Sequence, residues 1–380
     1  MKFTKPAFAL STLLMAMSAT TRAVEAPVLA DIEKRVAAVE GRMIGWRRDI
    51  HQHPELSNQE HRTAKLVADH LRKLGLEVQT GVGGTGVVGL LKGALPGKVV
   101  ALRADMDALP VKELTDLPFA SKAKGKHMGK EVDVMHACGH DGHTAILMAT
   151  AEVLAGMKSQ LRGSVKFIFQ PAEEGPSEAS HSEDQHIGAL AMVDAGVLEN
   201  PKVDAVFGLH LIPAFPVGTI GYRSGPILAS GDSFTLKVTG RQTHGGFPWN
   251  GIDPIVSTAQ IVMGLQTIVS RQMNLSREPV VVSVGSIHGG NRDNIIPESV
   301  ELLGTVRTFD DRMRDDALAR MRTTAESIAQ ASGAKAELKF AKPGYSATVN
   351  DESLTARMLP TLQQVTGGKA VVSPKLSASE

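Results

Sequence analysis

The segment Met135-His-Ala-Cys-Gly-His-Asp-Gly-His143 is the densest run of metal-capable side chains in the sequence. Cys138 and His140 sit two apart around Gly139, so a sharp turn can present both to one ion. Thiolate with imidazole suits zinc or a neighbouring divalent transition metal. A turn with incidental histidines is the alternative that this string alone leaves open. Glu173 and Glu174 follow a strand ending Phe-Gln-Pro. Adjacent carboxylates are expected to point in different directions, so one can bind metal while the other acts as a base. Taken alone, a solvated acidic pair at a strand end is the commoner reading. His210 ends the strand Val-Asp-Ala-Val-Phe-Gly-Leu, where a hydrogen-bonded structural histidine is the default. Together Cys138, His140, Glu174 and His210 supply four ligands from three loops.

The elements around these residues predict that they share one edge of one sheet. Residues 32–50 read as an amphipathic helix, and Ser57-Asn-Gln-Glu60 as a capping box opening a second helix to about Leu74. Strands are predicted at 87–91 and 98–103, a helix at 144–157, a strand at 164–169, a helix at 187–198 and a strand at 203–209. Alternating strands and helices argue for an α/β sheet covered on both faces, whose ligand site lies beyond the carboxyl ends of the strands. Asp105 to Asp107, Glu173-Glu174 and His210 each directly follow a predicted strand. From Ser233 the order becomes β-α-β-β-α-β: 234–239, 253–271, 280–287, 300–307, 311–331 and 334–340. That is a split-βαβ, ferredoxin-like unit, read as an insertion over 223–341 between catalytic segments 27–222 and 342–380. The tail, a helix at 351–366 and a strand at 370–372, is expected to return to the first domain.

Bulk properties narrow the function classes. A chain of 380 residues is long enough for two domains, and 42% hydrophobic with 21% charged residues is ordinary for a soluble globular protein. A net charge of +1 and 4% aromatic residues argue against nucleic acid as a partner. Lys2 and Lys5 precede an apolar run, 7–19, and small and polar residues up to Ala23, the pattern of a signal peptide. Cleavage is expected after Ala23, with Ala26 as the alternative, giving a periplasmic or secreted protein with no membrane anchor. Cys138 is the only cysteine, so no internal disulfide is possible. In an oxidising compartment a lone thiol is a liability unless occupied, and a metal would occupy it.

At this point the chain resembles the co-catalytic metallopeptidases of family 20, in the amidohydrolase branch that holds hippurate hydrolases, aminoacylases and indole-acetyl-amino-acid hydrolases. The resemblance rests on Arg-Arg-Asp-Ile-His-Gln-His-Pro-Glu-Leu (47–56), Leu-Arg-Ala-Asp-Met-Asp-Ala-Leu-Pro (102–110) and His-Ala-Cys-Gly-His-Asp (136–141). Phe-Gln-Pro-Ala-Glu-Glu (169–174), Gly-Leu-His (208–210) and Asn-Ile-Ile-Pro (294–297) complete it. It implies a zinc-peptidase-like α/β catalytic domain with an inserted lid and dimerisation domain, acting as a homodimer or higher oligomer. It implies two divalent ions (zinc, manganese, cobalt or nickel), with Cys138, His140, Glu174 and His210 as ligands. Glu173 would be the general base and Asp107 a carboxylate that orients a ligand. His244 would face the developing oxyanion, from its own or the partner subunit, and Asn294 and Arg307 the substrate's carboxylate. The implied reaction is hydrolysis of the amide bond of N-acyl or N-aroyl amino acids or small peptides.

Two departures stand out. A polar insertion at 176–185, with His181, Glu183 and Asp184, reads as a solvated loop near the site mouth. The chain stops at Glu380, where the family continues and carries a fifth ligand, a histidine; none follows His288. The expectation is therefore a fragment with one incomplete metal position and reduced activity. Competing readings are a non-catalytic binder that keeps the cleft, and a cysteine nucleophile at Cys138 assisted by His140. The latter is the weaker, because a metal-bound thiolate is not available to attack.

Overall fold

In the computed structural model, which describes residues 26–178, 185–341 and 344–376, the N-terminal part is a helix pair followed by a mixed sheet. The expected signal segment 1–23, and His181, Glu183 and Asp184 of the polar insertion, lie outside the described residues. Helices α1 (Ala26–Gln52) and α2 (His61–Lys73) precede strands β1 (Glu77–Val82), β2 (Gly86–Lys92) and β3 (Leu95–Asp105). A small hairpin, β4 (Lys124–His127) and β5 (Lys130–Asp133), leads to α3 (His140–Gly156). Then come β6 (Arg162–Gln170), α4 (Gly188–Asp194) and β7 (Ala205–Gly208). The strand order is β1-β2-β6-β3-β7. β6, β3 and β7 run parallel to one another, and β1 and β2 are antiparallel additions at one side.

Helix cover on both faces explains the apolar strands. On one side Val67 and Leu71 of α2 and Leu147 and Met148 of α3 pack on Val87, Leu91, Phe167 and Phe169. On the other, Met192 of α4 and Val197 meet Val88, Ala101 and Ile168. A strand buried on both faces has no solvent side to alternate towards, hence the continuous run Val-Lys-Phe-Ile-Phe. The one charge in that run, Lys166, is buried, and its ammonium donates to the carbonyls of Val197, Glu199 and Pro201 at 2.7–3.0 Å.

Strands β8 (Ile220–Tyr222) and β9 (Gly225–Leu228) connect to the second unit. Its elements are β10 (Asp232–Thr239), β11 (Thr243–His244), α5 (Pro254–Thr267), β12 (Val280–Gly289), β13 (Ile295–Ile296), β14 (Ser299–Thr308), α6 (Asp311–Ala331) and β15 (Lys335–Phe340). The antiparallel sheet β12-β14-β10-β15 has α5 and α6 on one face, which is the ferredoxin-like arrangement. Ile261, Leu265, Ala317, Met321 and Ala325 are fully buried against Leu236, Leu302 and Val306. Asp253 caps α5 through Ile255 N at 2.8 Å, and Asp310 caps α6 through Met313 N at 2.9 Å. The tail then returns: β16 (Thr348–Asn350) pairs with β9, and after α7 (Glu352–Val365), β17 (Ala370–Val372) pairs in parallel with β8. No helix among the described residues is long and apolar enough to cross a membrane.

One local expectation fails. Residues Ser57 to Glu60 do not form a capping box: Glu60 holds the N-cap position of α2 without a side-chain cap bond. Glu55 caps instead, its carboxylate accepting from Arg62 N at 2.8 Å and Thr63 N at 2.9 Å. The helix at 187–198 is also shorter than expected, ending at Asp194 before a turn at Gly196 with φ +77°.

Candidate metal centre

Three backbone devices bring the predicted residues together. The first is Gly139, with φ +101°, a left-handed conformation that turns the chain between Cys138 and the first residue of α3, His140. The second is Ala172, left-handed at φ +47° although not glycine, in the turn that leaves β6. The third is the end of β7, after which His210 leaves the sheet. Cys138 Sγ lies 3.3 Å from His210 Nε2. His140 is fully buried, and its Nε2 lies 3.8 Å from both Glu173 Oε2 and Glu174 Oε1. The two carboxylates thus converge on one nitrogen rather than diverging, because the Ala172 turn rotates the strand exit. Two sets of donor atoms, Cys138/His140/His210 and His140/Glu173/Glu174, each lie within 4.8 Å of one another.

Asp107 sits on the other side of His140, its Oδ1 3.3 Å from Nδ1. Its Oδ2 accepts from Ser57 Oγ at 2.7 Å and Glu174 N at 2.9 Å. It is therefore tied at once to a ligand ring and to the backbone of the acidic pair. Burial opposes ionisation of Asp107, but the His140 hydrogen bond and charge hold its carboxyl below the usual range.

The centre is short of positive charge. Burial alone would lower His140, yet Asp107, Cys138 and Asp105 push it up to about 12. Burial, and then the charge of Glu174, push Glu173 up to about 8. Burial raises Glu174 and Cys138 as well. Against this set His140 Nε2 is buried without a hydrogen-bond partner. A sulfur, imidazoles and carboxylates around an orphaned ring nitrogen fit a divalent transition-metal ion, whose charge the cluster lacks.

Sequence reasoning missed the supporting residues. Asp105, the last residue of β3, lies 2.7 Å from His143 Nδ1 and 2.7 Å from Arg103 Nη1. Leu211 N donates to His143 Nε2 at 2.9 Å. That nitrogen is thus an acceptor and Nδ1 carries the proton, so His143 has no lone pair left for an ion. It fastens the His210 loop instead. Its place in the 135–143 string was visible, but its role needed the contact with Leu211.

The groups of the inserted unit are arranged differently. His244 on β11 and Asn294 beside β13 adjoin on a two-strand ribbon, with Gly245 N donating to Asn294 O at 2.8 Å. Both are exposed. His244 Nδ1 accepts from Gly246 N at 2.9 Å, which leaves the ring proton on Nε2, the form that can donate to an oxyanion. Arg307 lies at the far end of β14 and donates to Tyr345 Oη at 3.0 Å. Asn294 directly precedes β13, a bend at Glu298 follows, and Arg307 is the penultimate residue of β14.

The chain is similar to several known proteins. The model of "Peptidase family M20/M25/M40" matches residues 101–380. Thermostable carboxypeptidase 1 of Saccharolobus solfataricus is 43% identical over 335 residues, 88% of this chain and 80% of that protein. N-acetylcysteine deacetylase of Bacillus subtilis is 44% identical over 300 residues, 79% of this chain and 73% of its own. Among solved structures, a dinuclear metal-binding peptidase of the M20 family from Bacillus subtilis superposes with a TM-score of 0.73. It is 38% identical and covers 90% of this chain and 85% of that one.

Proposed function

The chain belongs to the peptidase family M20/M25/M40, and on that premise we propose that it is a metal-dependent amidohydrolase of N-acyl amino acids or small peptides, releasing a free amino acid. The observation that carries this reading is the convergence of Cys138, Glu173, Glu174 and His210 on the buried His140, whose Nε2 has no hydrogen-bond partner among the described residues. Cys138, His140, Glu174 and His210 would hold two divalent ions, zinc or manganese first among the candidates. Bound there, the ions would supply Lewis acidity, lowering the pKa of water towards ~7 and drawing charge onto the amide oxygen.

The chain's own groups do the rest. Glu173, whose carboxyl is raised by burial and by Glu174, takes the proton of the attacking water and passes it to the leaving amine nitrogen. Asp107 keeps the His140 ring in place through Nδ1. His244, with its proton on Nε2, donates to the oxyanion, and Arg307 takes the free carboxylate of the amino acid. Since the His244–Asn294 ribbon is exposed on the inserted unit, the proposal includes a homodimer in which a second copy presents the ribbon. Export is part of the proposal and rests on the sequence pattern of residues 1–23 alone.

A cysteine-nucleophile mechanism is disfavoured. Burial raises the Cys138 thiol, the opposite of the depression that activates one. The deciding assay is hydrolysis of hippurate, N-acetyl-methionine and a dipeptide by protein loaded with zinc or manganese, beside Glu173→Ala. Metal-dependent turnover that Glu173→Ala abolishes supports the reading. Tight metal binding without turnover of any such amide would leave a binder.

A further inference from the structure

The two ends of the failed capping box are both spent on the metal centre. Ser57 Oγ goes to Asp107, and Glu60, which is fully buried, reaches across to the exit of β6. Glu60 Oε1 accepts from Ala172 N at 2.8 Å, and Oε2 accepts from Thr85 Oγ1 in the turn between β1 and β2. Ala172 is the left-handed, non-glycine residue that directs Glu173 and Glu174 into the site. An alanine at φ +47° lies about 1–2 kcal/mol above its preferred conformations, so something must hold it. Two acceptors bracket the turn: Glu60 at the N–H of Ala172 and Asp107 at the N–H of Glu174. On the far side Gly188 closes in, since a Cβ there would stand 2.7 Å from Ala172 O.

We propose that Glu60 is a positioning residue for the general base, holding the Ala172 turn so that Glu173 and Glu174 face His140. This rests on the reading of Glu173 as the base. Glu60 touches neither substrate nor ion; it acts by accepting one backbone N–H and one hydroxyl proton. Glutamine keeps the acceptor for Ala172 N through its amide oxygen and can donate its NH2 to Thr85 Oγ1, which then accepts, so it serves in place of glutamate. Leucine, of similar volume, fills the space and supplies no acceptor.

The test uses purified zinc-loaded protein with Glu60→Gln, Glu60→Leu and Glu173→Gln, read by kcat, KM and zinc affinity from a competing chelator. Glu60→Leu is expected to lower kcat ~100-fold and weaken zinc ~10-fold with KM little changed, the range seen when outer partners of a metal site are removed. Glu60→Gln should stay within about threefold of the natural protein on both readouts. Adding Ala172→Gly to Glu60→Leu should restore part of the loss, because glycine needs no help at positive φ. A role limited to filling space predicts equal Leu and Gln variants, and that result overturns the proposal. If Glu60→Leu does not fold, Thr85→Val decides, through zinc affinity: a loss of ~5-fold, about one hydrogen bond, supports it, and no change overturns it. Glu173→Gln separates the two layers. Full activity there removes the base and the proposal together, whereas an inactive Glu173→Gln beside indistinguishable Leu and Gln variants removes only the proposal.

Discussion

The edge of the first sheet and the ribbon of the inserted unit hold their polar residues in opposite ways. At the sheet edge His140, Asp105 and Asp107 are essentially without solvent contact, and each is tied to several elements at once. On the ribbon, His244 and Asn294 face solvent, held by the Gly246 N–His244 and Gly245 N–Asn294 O bonds and the short β11–β13 pairing. Burial makes the first region costly to leave without a cation, since acids crowded at low dielectric raise one another's pKa. Exposure leaves the second preset only in tautomer. The proposed function therefore assigns metal affinity to the sheet edge and a contribution to rate to the inserted unit.

Four substitutions sharpen or break that division. The largest effect is expected from His140→Ala, which should weaken zinc by more than the ~10–100-fold typical of outer partners and reduce hydrolysis to background. Equilibrium dialysis with metal analysis checks it, and unchanged binding would remove the sheet edge as the metal centre. His244→Ala should lower kcat ~10²–10³-fold, as loss of an oxyanion donor does, and leave zinc affinity alone. A fall in zinc affinity there would dissolve the division. Arg307→Ala should raise KM ~10-fold for substrates with a free carboxylate and hardly at all for their carboxamides, in steady-state kinetics on matched pairs.

The smallest effect concerns stability. Burial, opposed by the Thr85 hydrogen bond, raises Glu60 from 4.5 to about 7. The folded chain then binds more protons than the unfolded one between those values. Stability from protonated Glu60 is present below pH 4.5 and lost as pH rises through 7. Glutamine cannot ionise, so Glu60→Gln should gain on the order of 2 kcal/mol over the natural chain at pH 8 and nothing at pH 4.5, by denaturant unfolding.

The sequence made the frame legible wherever periodicity was strong. The inserted unit was expected as β-α-β-β-α-β and folds so, because its half-buried strands alternate and its caps, Asp253 and Asp310, sit at the expected helix starts. Glu174 and His210 stood out because each follows a predicted strand, and Cys138 and His140 because they share one dense string of metal-capable residues. What escaped depends on contacts between distant segments. Ser57 and Glu60 match a capping box in sequence, yet the pull of Asp107 and Ala172 N, 50 and 112 residues away, takes both side chains. Strand β1, Glu-Val-Gln-Thr-Gly-Val, is an exposed edge with no apolar run to announce it. The ribbon of β11 and β13 has two residues on each side, too short for any period.

The most direct test of the account is calorimetric titration of chelator-treated protein with zinc, in two buffers of different ionisation enthalpy. Saturable zinc binding is expected, with protons released as Cys138 and His140 give theirs up, and loss of binding in Cys138→Ser with His140→Ala. Absence of saturable zinc binding, or unchanged binding in that double variant, would contradict it.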